Sequence, residues 1–163
     1  MTLTVLVLAF VTLQRLGELV IARRNTARLL ENGAIEVAPD HYKLIVGLHT
    51  LWLAGLWYLA LTRGLMPDLL LLAVFVVLQV LRVWVLATLG PRWTTRIIVV
   101  PGEQLVTRGP YRYLSHPNYW IVIGEILVLP LVFGLLWFGV VFSILNLVVL
   151  WVRIRAENKA LGR

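Results

Sequence analysis

The sequence predicts an all-α integral membrane protein with about five transmembrane helices, ending in a helical hairpin behind a polar loop. Three observations point there. The first is composition: 60% of the 163 residues are hydrophobic and only 14% charged, with a mean hydropathy of +0.88. A soluble domain runs at roughly half apolar and a quarter charged, and a chain this short has too little interior to hide the excess. The second is the presence of apolar tracts long enough to cross a bilayer, which takes about 20 residues per helix. The third is that the basic residues fall on alternate connections between those tracts.

Taken in order, the first tract runs from about Thr2 to Ala22, the second from Tyr42 to Thr62 and the third from Leu69 to Leu89. A fourth, from Tyr119 to Val152, is too long for one crossing and is interrupted by Pro130 and Gly134. Both residues are turn and breaker signals. The tract therefore reads as a short span over Pro117–Leu129 and a second over Leu135–Arg153. The N-terminal segment lacks the basic start of a signal peptide and carries Gln14, Arg15 and Glu18 where such a peptide is apolar. The whole chain, 1–163, reads as one membrane-embedded domain: three spans over 1–89, a cytoplasmic loop over 90–118, and the hairpin with its tail over 119–163.

Charge tests this layout. Arg23, Arg24, Arg28 and Lys43 follow the first span, Arg92, Arg96, Arg108 and Arg112 follow the third, and Arg153, Arg155, Lys159 and Arg163 form the tail. The opposite side holds Arg63 alone, and Arg15 and Arg82 lie within spans. Basic residues collect on the cytoplasmic side, which places the N-terminus outside and the C-terminus in the cytoplasm. A bacterial inner membrane is the expected location. The net charge of +7 then reports orientation rather than nucleic-acid binding. The chain has no cysteine, which excludes disulfides and thiolate chemistry, and no metal site is expected.

Polar residues inside spans are costly and need partners. Gln14, Arg15 and Glu18 share a helical face at spacings of three and four, which suggests a structural ion pair tying the first span to its neighbours. Gln79 and Arg82 are also three apart, with Arg82 positioned to snorkel or to meet a carboxylate of another helix. His49, with Trp52 and Trp57, reads as packing. Glu125, seven residues after Asn118, sits in an otherwise apolar helix and is a candidate for catalysis as much as for structure. Asn146, Arg153 and Glu157 form one stripe leading out of the last span.

The loop carries most of the chemistry. Ile97–Val100 is a short β-like run ending at Pro101-Gly102. Gly109-Pro110 marks a turn, and Pro117 suits the first turn of a helix capped near Ser115-His116. Free N–H groups at such a helix start favour an anion. His, Tyr, Asn and Arg gather where the loop meets the membrane, and a ligand site follows.

The run Leu105-Val106-Thr107-Arg108-Gly109-Pro110-Tyr111-Arg112-Tyr113-Leu114-Ser115-His116-Pro117-Asn118-Tyr119 resembles a signature of the isoprenylcysteine carboxyl methyltransferase family, L-V-T-x-G-x-Y-x-x-x-R-H-P-x-Y. The tail Arg153-Ile154-Arg155-Ala156-Glu157-Asn158-Lys159-Ala160-Leu161 resembles its second motif, R-x-x-x-E-E-x-x-L. Gln14-Arg15-Leu16-Gly17-Glu18-Leu19 and Ala22-Arg23-Arg24-Asn25 look like the bacterial branch, which includes O-methylation of lipid-like polyketides such as alkylpyrones. The resemblance implies a membrane enzyme using S-adenosylmethionine to methylate an oxygen, a carboxylate or an enol or phenol hydroxyl, of a lipophilic small-molecule or lipidated acceptor. By motif it implies cofactor contacts at Gln104, Leu105, Val106, Tyr111, His116, Pro117, Asn118, Tyr119 and Glu157, with Arg153 facing the acceptor. Where the acceptor needs a general base, His116 and Glu125 are the local candidates. Two positions depart from the pattern. Ser115 replaces an arginine, whose charge Arg112 could supply, and Asn158 replaces the second glutamate. Alternative readings are an NADPH-dependent membrane reductase, a phospholipid N-methyltransferase and a non-catalytic membrane protein.

Overall fold

A computed structural model of the chain describes residues 1–160, without the side chains of residues 40 and 41. Leu161 and Arg163, both used above, lie outside the described residues. The elements in chain order are α1 (Thr2–Glu31), β1 (Ile35–Val37), α2 (Asp40–Thr62), α3 (Leu69–Leu89), β2 (Ile97–Val99), α4 (Pro117–Val132) and α5 (Leu136–Ala160). Short 3-10 turns lie at Gly90–Arg92 and Gly109–Arg112. The fold is that of an all-α integral membrane protein. Four helices are long and apolar enough to cross a membrane, whereas α4, with 16 residues, extends about 24 Å against roughly 30 Å of hydrocarbon.

Three ends meet at one pole. The Thr4 hydroxyl donates to the Leu65 carbonyl at 2.7 Å, and the Asp68 N–H donates to the Val132 carbonyl at 2.7 Å. The start of α1, the turn after α2 and the turn after α4 are thus neighbours, and every odd connection lies at the other pole. That is the alternation the basic residues predicted. α3 starts where the Asp68 carboxylate accepts from the Leu71 N–H at 2.9 Å, an ordinary N-cap.

Two predicted boundaries move. α1 continues nine residues past Ala22 to Glu31, because nothing between Arg23 and Leu30 breaks a helix. The hairpin turn falls at Phe133–Leu135, not at Pro130, which sits in the last turn of α4. Proline there removes the N–H that would bond the Ile126 carbonyl. That carbonyl is satisfied from outside the helix, by the Trp52 indole at 3.2 Å. Gly134 supplies the left-handed residue of the turn, at φ 69°. The β-like run is a strand, and its antiparallel partner is β1, a pairing the sequence did not announce. Ile35–Val37 alone is too short to read.

The buried ions form one group. Arg82 donates to Glu18 through Nε and Nη2, both at 2.6 Å, and to Glu125 through Nη1 at 2.9 Å. Arg15 donates to Glu18 at 3.1 Å and Glu125 at 2.7 Å. Gln14 and Gln79 add a bond to each carboxylate. Two cations and two anions from α1, α3 and α4 therefore neutralise one another, the condition under which charge is tolerated away from water. Arg82 belongs to this group and does not snorkel.

Candidate active site

The loop after α3 folds back over the ends of α4 and α5, and specific contacts fix its path. Arg92 reaches across it, with Nη1 2.9 Å from the Gln104 carbonyl and Nη2 2.7 Å from Glu103. Asn25, in the part of α1 beyond the first predicted span, donates to the carbonyls of Gly90 (3.2 Å) and Trp93 (2.8 Å). Gly109 adopts φ 59°, and a Cβ there would lie 2.6 Å from the Thr88 hydroxyl. Only glycine lets the Gly109–Arg112 turn settle on the end of α3.

Beneath the loop lies a cavity of about 240 Å³ with a polar floor. Gln104, Leu105, Val106, Tyr111, His116, Asn118, Tyr119, Arg153 and Glu157 all line it, joined by Arg92, Trp93, Thr94 and residues of β2. Pro117 does not. It occupies the first turn of α4 and is buried there, so its part is to start the helix that carries Asn118 and Tyr119. His116 is the N-cap residue, but its side chain bonds elsewhere.

The Tyr119 hydroxyl is the hub of the site. It accepts from Arg153 Nε at 2.8 Å and donates to the Glu157 carboxylate. Arg153 and Glu157, four apart on α5, are therefore joined through a phenol from α4 rather than as a simple ion pair. Arg153 is buried and also donates from Nη2 to the Thr95 carbonyl at 2.8 Å. His116 stacks on Tyr119 with ring centroids 5.2 Å apart, and its Nδ1 lies 3.7 Å from Glu157. Its Nε2 is 3.0 Å from Asn158 Oδ1, so the tautomer that satisfies this contact carries a proton on Nε2. Asn158, a departure from the family pattern, thus orients the histidine. Burial pushes the Tyr111 phenol well above its usual range, and the Glu157 charge pushes it further.

Other expectations are redirected. Arg112 is exposed beside the Tyr113 ring and lines no part of the cavity, so it does not stand in for the arginine that Ser115 replaces. Glu125 is 1% exposed, with both oxygens held by Gln79, Arg15 and Arg82. It lines neither this cavity nor the one described next. The geometry gives it ion partners, not a reacting group.

A second cavity, of about 450 Å³, descends between α1 and α2. Its wall is mainly apolar, from Leu16, Leu19, Ile45, Val46, Trp52, Leu53 and Val122, with His49, Arg15 and Glu18 part way down. Tyr42 and Trp57 mark its extent along α2, fifteen residues or about 22 Å. This groove and the polar cavity share Trp93, Thr94, Asn118, Tyr119 and Arg153. Sequence reasoning missed Trp93 and Thr94. They belong to no motif, and only the presence of a tryptophan in a polar loop hinted at them.

A polar pocket at the end of a helical bundle thus opens onto an apolar groove between apolar helices of a membrane protein. Comparison with known proteins narrows the class. The model of the isoprenylcysteine carboxyl methyltransferase (ICMT) family matches residues 70–163, which hold the loop, the hub and the tail. An uncharacterized protein of Bacillus subtilis (strain 168), YpbQ, is 42% identical over 159 residues, covering 96% of this chain and 95% of that one. No solved structure matches. The chain belongs to the isoprenylcysteine carboxyl methyltransferase family, a membership that implies a membrane methyltransferase.

Proposed function

We propose that this protein transfers a methyl group from S-adenosylmethionine to an oxygen of a lipophilic, membrane-borne acceptor. One observation supports this reading above the others: the polar cavity and the apolar groove share a wall at Asn118, Tyr119 and Arg153. The residues present fit the cofactor. Its ammonium and ribose hydroxyls need acceptors, and the cavity offers the Glu157 carboxylate and the buried Asn118 Oδ1, which has no partner among the described residues. Its carboxylate needs donors, which Tyr111 and the start of α4 supply, while His116 Nδ1 adds a further acceptor for the ammonium. Gln104, Leu105 and Val106 form the wall beside it. When bound, the cofactor supplies an activated methyl on a sulfonium.

The chain's own residues then position and desolvate. Arg153, held by Tyr119 and Thr95, offers a fixed cation to an anionic acceptor oxygen at the point where the groove meets the cavity. Tyr119 ties that arginine to Glu157, so the two binding halves keep a constant distance. Such orientation is the main resource for an in-line displacement. A carboxylate or enolate acceptor needs no base. For an acceptor that must lose a proton, His116 is the group within the cavity. The groove holds the tail, and the charge distribution supports a cavity on the cytoplasmic side of a bacterial inner membrane. The test is methyl transfer itself. Protein in lipid vesicles, given methyl-labelled S-adenosylmethionine and a lipid extract of the source cells, should move label into the organic-soluble fraction. Label confined to water-soluble products would overturn the assignment.

A further inference from the structure

Most polar groups that line the groove part way down already have partners. Arg15, Glu18 and Arg82 belong to the ion group. The Thr12 hydroxyl donates to the Leu8 carbonyl at 2.7 Å and accepts from the Trp57 indole at 3.0 Å. The Thr50 hydroxyl donates to the Val46 carbonyl at 2.8 Å. His49 differs from these. It shares a face of α2 with Tyr42, Ile45 and Leu53, at spacings of seven and four, and all four side chains line the groove. Its Nδ1 lies 2.8 Å from the Ile45 carbonyl. A carbonyl only accepts, so Nδ1 carries the proton, and Nε2 of the neutral ring is left as an acceptor. Among the described residues Nε2 has no partner. Unlike Arg15 Nε, it is not sealed inside protein, so the groove can reach it.

The helix fixes the depth of this acceptor. Tyr42 marks the end of the groove nearest the reacting groups: its hydroxyl accepts from Thr95 at 3.4 Å, and the Thr95 carbonyl holds Arg153. His49 lies seven residues further along α2, about 10 Å deeper. A plain hydrocarbon tail would strip water from Nε2 and return no hydrogen bond, which is a net cost. A tail carrying a donor at that depth would satisfy it.

We propose that His49 is a specificity-determining residue whose Nε2 accepts a hydrogen bond from the tail of the methyl acceptor. The tail is then not an uninterrupted hydrocarbon. It bears a donor, a hydroxyl or an amide N–H, about 10 Å from the reacting oxygen. This inference rests on the methyltransferase reading, and its test reads binding rather than turnover. The probes are stearate and two hydroxystearates, one with its hydroxyl on the tenth carbon and one with it beside the head. Each is added to detergent-solubilised, ¹⁵N-histidine-labelled protein with S-adenosylmethionine present. The mid-chain hydroxystearate should bind about ten-fold more tightly than stearate and move the His49 Nε2 resonance upfield; the other two probes should leave that resonance in place. His49→Leu should abolish the preference for the mid-chain hydroxyl. His49→Gln, whose amide oxygen also accepts, should keep part of it. Both variants should bind labelled cofactor as the wild type does, which a merely structural histidine would not separate from probe binding. The resonance is assigned by its loss in His49→Leu, and the wild-type result stands even if that variant folds poorly. An unmoved Nε2 resonance, equal or absent binding of stearate and the mid-chain probe to wild type, or a preference that survives in His49→Leu would each overturn the proposal. Failure of the methyltransferase reading would appear separately, as wild-type protein that binds no labelled cofactor.

Discussion

Replacing Arg82 with Met keeps length and apolar volume but removes one cation from a four-ion group. Arg82 contributes three charged hydrogen bonds, two at 2.6 Å and one at 2.9 Å, and joins α3 to both α1 and α4. Without it, Glu18 and Glu125 share Arg15 alone, and one net negative charge stays inside the bundle. Removing one member of a buried ion pair costs about 3–5 kcal/mol, a large part of a stability of about 5–15 kcal/mol. Adding Glu125→Gln restores neutrality and leaves the Arg15–Glu18 pair on α1. The double variant should therefore be less destabilised than the sum of the singles, with a coupling of about 2–3 kcal/mol, at the upper end for residues in one network. The assay is reversible unfolding in mixed micelles, followed by loss of helical signal for the wild type, the two singles and the double. Additive effects, or an Arg82→Met cost below about 1 kcal/mol, would refute the idea that these four ions act as one neutral unit.

Other expectations follow from the site. Tyr119→Phe keeps the stack on His116 but severs the Arg153–Glu157 link, so turnover should fall about ten- to hundredfold, with a stability loss of about 1–3 kcal/mol; unaltered initial rates would remove the hub. Glu157→Gln should weaken cofactor binding, and Arg153→Ala should chiefly raise the acceptor requirement, which steady-state kinetics in both substrates separates. Ala54 also lines the groove, and filling it with Ala54→Phe should reduce acceptor use while titration calorimetry shows cofactor affinity intact. Tyr111 stays protonated in the fold above the pH at which an unfolded tyrosine ionises, near 10. Its contribution to stability is therefore complete below that pH and declines above it, so Tyr111→Phe should flatten the alkaline limb of a stability–pH curve.

Much of this was legible because hydrophobic length is a strong signal. The tracts 42–62 and 69–89 coincide with α2 and α3 to within two residues. The C-terminal end of α1 and the position of the hairpin turn were not, since a membrane boundary and a helix boundary are separate things and a proline can sit in a last turn when another chain segment satisfies its orphaned carbonyl. The site divides in the same way. The motif between Gln104 and Tyr119 and the tail pair Arg153 and Glu157 were visible as local patterns, and of the cofactor contacts they implied, together with Arg153, all but Pro117 reach the cavity. The part played by Glu125 was not visible, because whether a buried carboxylate reacts or is neutralised depends on Arg15 and Arg82, which lie 110 and 43 residues away in sequence. Trp93 was hidden for a similar reason: its place in the wall between two cavities is a property of what surrounds it.

Equilibrium binding of labelled S-adenosylmethionine to the purified protein tests the central claim most directly, with wild type, Glu157→Gln and Ala54→Phe compared side by side. If the cavity under the loop is the cofactor site, the wild type binds saturably, Ala54→Phe binds equally well, and Glu157→Gln binds about ten-fold more weakly. Wild-type protein that binds no cofactor, or a Glu157→Gln variant that binds as tightly as wild type, would contradict it.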